Sequence, residues 1–275
     1  MRDDRGVTVR LSAPARRVVS LAPSLTEIVF LLGEERALAG VTRFCNYPTA
    51  ASSLPKVGGM IDSDVERIVA ISPDLVLCTM DGNSRERILA LERMKIPCFV
   101  IAPQNIEAVF ATIERLGALL GVAERGRAEV AMLARRVESV RSVGGGKDGE
   151  AGPRALFVVS TSPVIAAGSG TFMDELLEIA GARNAAGAFR SRYPRLSLEE
   201  LIAVGPDVIF VAAMKGAERF SPEVLGWKEI PAFRDDAVFP IDGDLVTRPG
   251  PRLVTALEKI SAILTGLSRR RDGNR

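Results

Sequence analysis

Part of this chain occurs twice, and that repetition constrains its fold more than any other feature. VERIVAISPDLVL (65–77) lines up with LEELIAVGPDVIF (198–210). Glu66 pairs with Glu199, Ala70 with Ala203, Pro73 with Pro206 and Asp74 with Asp207, and the other apolar positions correspond in character. Each copy reads as a short helix, a Pro-Asp turn and a buried strand, because a helical apolar period gives way to a short continuous apolar run. A weaker match sets TEIVFLLGEERALAG (26–40) against DELLEIAGARNAAG (174–187), bringing Glu27 to Glu175 and Gly33 to Gly181. Residues 18–103 and 155–248 therefore read as two copies of one α/β unit.

The elements between these anchors alternate. Residues 18–21 read as a strand, and a Pro-Ser turn leads into a helix opened by a Ser24-x-x-Glu27 capping box and stopped by Gly33. A strand at 39–42 follows. A second helix opens at Ser63, with Glu66 closing its capping box, and ends before Pro73. Strand 74–78, helix 84–95 and strand 97–101 continue the alternation, which calls for a largely parallel sheet. Residues 7–11 (VTVRL) alternate like a short edge strand.

Residues 105–120 put Ile106, Val109, Phe110, Ile113, Leu116 and Leu120 on one face, and 123–142 resume helical spacing through Val130, Leu133, Val137 and Val140. That second stretch makes a rod of about 30 Å. GGGKDGEAG (144–152) has linker composition. The second half then supplies a strand at 155–160, helices at 172–180 and 198–204, a strand at 207–213 and a closing amphipathic helix at 251–266. The expected fold class is α/β: two Rossmann-like lobes with mostly parallel sheets, 1–122 and 144–275, joined by a single long helix, 123–143. Lobes of this kind take their ligand outside the C-terminal ends of their strands.

Composition removes several kinds of chemistry. There is no histidine, so no Ser-His-Asp or Cys-His nucleophile system can be built. The 36 basic and 34 acidic residues nearly cancel, with no basic surplus for nucleic acid. The three cysteines, Cys45, Cys78 and Cys98, lack CxxC spacing. Cys78 and Cys98 sit in strand-like runs and read as small core residues, with a disulfide between neighbouring strands as the other reading. No metal site is expected. No run of about 18 apolar residues occurs. The start, MRDDRGVTVRL, lacks an apolar signal core, as in a cytoplasmic protein or a chain whose export signal has been removed.

Several residues carry two readings. Glu66 and Glu199 are equivalent points, either carboxylates offered to a partner's arginines or first-turn glutamates favoured by the helix dipole. Glu199 is the more informative, because the second box, Ser197-x-x-Glu200, uses its neighbour. Gly168-Ser169-Gly170-Thr171 is either an anion cradle or a plain strand-to-helix turn. Phe44, Tyr47 and Tyr193 are loop aromatics in a chain with only 2 tyrosines, fit to stack on a flat ligand or to anchor a loop. Arg248, in TRPGPR, pairs with an anionic ligand group or is simply solvated.

Six segments in order, RRVVSLAPSLTEIVFLLG, AGVTRFCNYP, DVERIVAISPDLVL, GTFMDELLEIAGARN, YPRLSLEELIAVGPDVIF and RPGPRLV, resemble the helical-backbone (class III) substrate-binding proteins of ABC importers. This is the family of vitamin B12, ferric-siderophore and haem binders, and the resemblance spans residues 5 to about 266. It implies a monomeric, non-enzymatic protein without a cofactor, periplasmic or lipid-anchored, that delivers a corrinoid to a permease dimer with its ATPase. A ferric siderophore or haem is the alternative ligand. It also implies docking through Glu66 and Glu199, and ligand contacts from Pro23, Ser24, Phe44, Tyr47, Met80, Tyr193 and Arg248. The sequence departs from the B12 pattern at Gly58 or Gly59, at Thr79 or Met80, and at Leu245, where tryptophans are expected. Without histidine, only tyrosine or methionine could ligate haem iron. Two other readings are an enzyme using Asp62, Asp81 or Asp244, and a sensor on the same fold.

Overall fold

The computed structural model describes residues 1–144, 152–213 and 227–273. They divide into two compact units, Met1–Pro103 with Glu107–Leu133, and Gln104–Ile106 with Ala134–Arg275.

In the first unit the chain runs β1 (Val18–Ser20), α1 (Pro23–Leu31), β2 (Leu38–Val41), α2 (Val65–Ile71), β3 (Leu75–Thr79), α3 (Arg85–Arg93) and β4 (Cys98–Ile101). The four strands form one sheet in the order β2-β1-β3-β4, parallel throughout. All of β3 and β4 is buried, as expected for a parallel sheet covered on both faces. Beyond β4 come α4 (Ile106–Leu119) and the 22-residue α5 (Ala123–Gly144), within which the chain passes from one unit to the other.

The second unit contains β5 (Arg154–Thr161), β6 (Val164–Ala166), α6 (Phe172–Ile179), β7 (Arg183–Asn184), α7 (Leu198–Val204), β8 (Val208–Ala213), α8 (Pro231–Arg234), β9 (Val238–Asp242), α9 (Gly243–Val246) and α10 (Leu253–Gly273). Strands β7, β8 and β9 run parallel within its sheet, and β6 folds back antiparallel on the end of β5. The expected α/β class with mostly parallel sheets is thus the observed one. The β5–β6 hairpin is its one antiparallel exception among the described strands. After the hairpin the Ala167 amide returns to the Phe157 carbonyl at 2.8 Å, so α6 starts at the same edge of the sheet as α1 does in the first unit.

The repeat extends to single hydrogen bonds. Helices α2 and α7 both end on a left-handed residue, Ser72 (φ 51°, ψ 58°) and Gly205 (φ 49°, ψ 62°). Each is followed by proline and aspartate. The Asp74 carboxylate accepts from the Arg16 and Arg17 amides, and the Arg17 carbonyl accepts from the Asp74 amide. The Asp207 carboxylate accepts from the Arg154 amide, whose own carbonyl accepts from the Asp207 amide. One aspartate per copy therefore fixes the register at which the helix-turn-strand segment enters its sheet. The aligned residues Leu75 and Val208 accordingly meet Val18 and Ala155 in parallel pairing.

Several local expectations are corrected. The Ser24-x-x-Glu27 box is not formed: α1 begins at Pro23 with Ala22 as N-cap and no side-chain cap. Proline's fixed φ and missing N–H suit the first helical position, so the helix starts earlier and Ser24 is buried inside its first turn. The Ser63–Glu66 box is also absent. Asp64 caps α2 by accepting from the Arg67 amide at 3.0 Å. Residues 7–11 form no strand beyond the single Arg2–Thr8 bridge. The Asp3 carboxylate accepts from the Arg5 and Val7 amides, and Gly6 takes φ 83°, which turns the chain where the alternating pattern suggested it would run straight. The expected linker at 144–152 lies, apart from its first and last residues, outside the described residues.

Candidate functional site

Parallel strands discharge their following loops at one edge, so residues just past the strand ends of each unit share a rim. In the first unit that rim carries Pro23 and Ser24 after β1, Phe44 and Tyr47 after β2, and Met80 after β3. Phe44 (47%), Tyr47 (48%) and Met80 (44%) are exposed large apolar groups, and Tyr193 is the one other aromatic among the described residues that is exposed to this degree. Pro23 and Ser24 are buried.

The rim is braced from below. The Thr26 hydroxyl donates to the Ser20 hydroxyl at 2.9 Å and reaches the Cys45 thiol at 3.1 Å, and Thr42 meets the same thiol at 3.2 Å. Cys45 thus holds the turn that displays Phe44 and Tyr47. Asn83 does the same after β3: its Oδ1 accepts from the Thr79 amide at 2.7 Å, and its Nδ2 donates to the Leu21 and Met60 carbonyls, each at 2.9 Å. One buried side chain therefore ties together three loops of the rim. The Arg43 guanidinium lies 5.0 Å from the Phe44 ring centroid, over its face, and is held by both oxygens of Asp62. Arg43 keeps the Asp62 carboxyl below its ordinary value. That is the reverse of what a carboxylate needs for proton transfer near neutral pH.

In the second unit Tyr193 stands 48% exposed in a strand-like segment whose Arg192 and Pro194 carbonyls accept from the Gly168 and Ala166 amides. Arg190, Arg192 and Arg195 flank it in the chain and are all exposed. Arg192 is fixed by the Gly170 carbonyl at 2.7 Å and by Gln104 at 3.2 Å. Arg248 is not solvated: its side chain, 14% exposed, pairs with Asp244 at 2.8 Å. The Gly168–Thr171 segment is a turn. The Asp174 carboxylate already accepts from the Gly170 amide, and Thr171 caps α6.

Glu66 and Glu199 both occupy the second position of their helices, exposed and without a hydrogen bond or ion pair among the described residues. The Ser197/Glu200 capping box is formed, which leaves Glu199 free, and the Asp64 cap does the same for Glu66. All three cysteines are free and buried. The hydrogen bond with Cys98 and burial together push the Cys78 thiol well above its ordinary value. Among the described residues no group of three Cys, Asp or Glu could hold a metal ion, and no helix is long and apolar enough to cross a membrane.

The sequence reading missed Asn83, Arg43 with Asp62, and the arginine row. TMDGNS reads only as turn composition, and nothing in it shows which polar residue faces inward. RSRYPR, by contrast, sets three arginines around Tyr193 in plain view.

The profile of a family described as periplasmic binding protein matches residues 18–245. A vitamin B12-binding protein of Vibrio parahaemolyticus is 27% identical over 94% of this chain and 92% of its own length. An uncharacterized ABC transporter substrate-binding lipoprotein of Bacillus subtilis is 30% identical over 92% of this chain and 81% of its own length. The apo structure of the periplasmic heme-binding protein RhuT from Roseiflexus sp. RS-1 superposes with a TM-score of 0.82, at 26% identity, over 92% of this chain and 99% of that one.

Proposed function

Because the chain belongs to the periplasmic binding protein family, we propose that it is the capture component of an ABC importer, taking a corrinoid as its ligand. It works outside the inner membrane and hands the ligand to a permease dimer with its ATPase, and it carries out no chemistry itself. The observation that carries this reading is the set of large apolar groups left exposed at the strand-end rims: Phe44, Tyr47 and Met80 in one unit, Tyr193 in the other. Exposed aromatics on braced loops are costly in water and gain free energy when a broad, flat ligand covers them. Arg248, held by Asp244, supplies a fixed cation, and Pro23 and Ser24, buried after β1, complete the first rim. The similarity to vitamin B12-binding and ABC substrate-binding proteins supports this reading.

One observation favours a second ligand, an iron chelate such as haem. The exposed row Arg190, Arg192 and Arg195 beside Tyr193 suits a flat anionic chelate better than a neutral one. Glu66 and Glu199, unpaired at equivalent places in the two copies, are the proposed docking carboxylates for permease arginines.

Calorimetric titration with cyanocobalamin, haem and a ferric hydroxamate tests the ligand. Sub-micromolar cobalamin binding that Tyr193→Ala and Phe44→Ala weaken at least tenfold supports the corrinoid. Haem or hydroxamate binding alone transfers the site to the second reading, and silence from all three removes both.

A further inference from the structure

The two docking carboxylates share a helical position but not their surroundings. On α2 the residues flanking Glu66 are Val65 and Val69, both half-buried against the core of the first unit. The aligned residues on α7 are Leu198 and Ile202, larger and exposed at 39% and 41%. One helical turn apart, they form an apolar stripe beside the Glu199–Ala203 stripe, and all four positions are exposed. The adjacent Glu200 is occupied by the capping box. Glu199 is therefore an unpaired carboxylate set in an apolar face, whereas Glu66 is followed by Arg67, which pairs with Asp64.

We infer, resting on the docking role proposed above, that α7 is the principal anchor on the permease. Leu198 and Ile202 form an apolar collar that seats on apolar residues surrounding the arginine that receives Glu199. The argument is one of water exclusion. An exposed ion pair contributes little because water competes for both partners. The same pair ringed by apolar groups that seal the contact becomes an energetic hot spot. To such a partner the α7 face offers both a negative charge and apolar cover. The α2 face offers charge complementarity alone, so it steers and registers the encounter more than it holds it.

The test is equilibrium binding to the permease–ATPase complex of the same organism in nanodiscs, using four variants: Leu198→Ser with Ile202→Ser, Glu199→Lys, Glu66→Lys, and Ala70→Ser as a surface control. Melting temperature and ligand affinity confirm that each variant is folded. The expected result is at least a tenfold loss of affinity for the Leu198/Ile202 pair, mostly as faster dissociation and little changed by salt, with Ala70→Ser neutral. Unchanged affinity in the pair while either lysine variant weakens docking overturns the collar and leaves the carboxylate reading standing. Unchanged affinity in both lysine variants removes the carboxylate reading itself. Concentration-dependent dimers of the free protein that Leu198→Ser with Ile202→Ser dissolves would assign the stripe to self-association instead, and overturn the inference.

Discussion

Asn83 is the most exacting test of how the first rim is built. Its amide makes three hydrogen bonds to backbone groups at the ends of β1 and β3 and in the loop at Met60, in a buried setting. Asn83→Leu keeps the volume and removes all three partners. A net hydrogen bond contributes about 1 kcal/mol, and a buried group left unsatisfied costs about 1–3 kcal/mol, so the expected loss is about 3 kcal/mol. With a urea slope of about 2 kcal/mol/M, the midpoint of the first unit's transition should fall by about 1.5 M. Asn83→Asp is sharper. One carboxylate oxygen can still accept from the Thr79 amide, but the other faces the Leu21 and Met60 carbonyls with nothing to donate. Burial and those two acceptors raise the folded-state pKa of the new carboxyl above its unfolded value. The unfolded state then binds fewer protons than the folded state, so stability falls as pH rises. The Asn83→Asp deficit should be full at pH 8, where the carboxylate is charged, and should shrink as pH falls through the raised folded pKa. Urea titrations at pH 8, 6.5 and 5 read this directly. A midpoint shift below about 0.3 M for Asn83→Leu, or a pH-independent deficit for Asn83→Asp, would show that these bonds do not hold the rim together.

Other expectations concern stability alone. Burial would raise the Asp4 carboxyl, but hydrogen bonds from Arg115 and the Ala102 amide overcome this and hold it below its ordinary value, and Arg136 lowers Glu258 likewise. Both contributions are therefore present above the unfolded carboxylate pKa and lost as pH falls through the lowered folded values. The midpoint gap between wild type and Asp4→Asn or Glu258→Gln, about 0.5 kcal/mol for such part-exposed pairs, should close between pH 5 and pH 3 in urea titrations. Exchanging the helix-ending residues of the two copies should give opposite signs. Ser72→Gly relieves a left-handed serine and should gain up to about 1 kcal/mol in urea unfolding, while Gly205→Ser loses a similar amount.

The sequence showed best what depends on near neighbours in the chain. The Pro-Asp turns, the α7 capping box, α4, α5 and the mostly parallel sheets all follow from periodicity and punctuation within about twenty residues. The misplaced caps of α1 and α2 are of one kind. In each the helix begins at a different residue from the one the capping pattern sets: Pro23 starts α1 ahead of Ser24, and Asp64 rather than the adjacent Ser63 caps α2. The β5–β6 hairpin is not legible because Ser160-Thr161-Ser162-Pro163 closes the strand at 155–160, and the three residues of β6 beyond it are too few to show a period. Aromatics at the rims were legible from their scarcity and their loop positions. Their supports, Asn83 and the Asp62–Arg43 pair, act across gaps in the chain that local patterns do not report.

The burial of all three native thiols makes the molecule a convenient host for spectroscopic probes. Dyes or spin labels that attack exposed sulfur would leave Cys45, Cys78 and Cys98 untouched while the protein is folded, so no native cysteine has to be removed first. A cysteine placed at Ala70 on α2, and another at Ala203 on α7, would each be the sole reactive point on its helix. A label pair at these aligned positions would give a ruler anchored at equivalent points of the two copies, read with and without ligand.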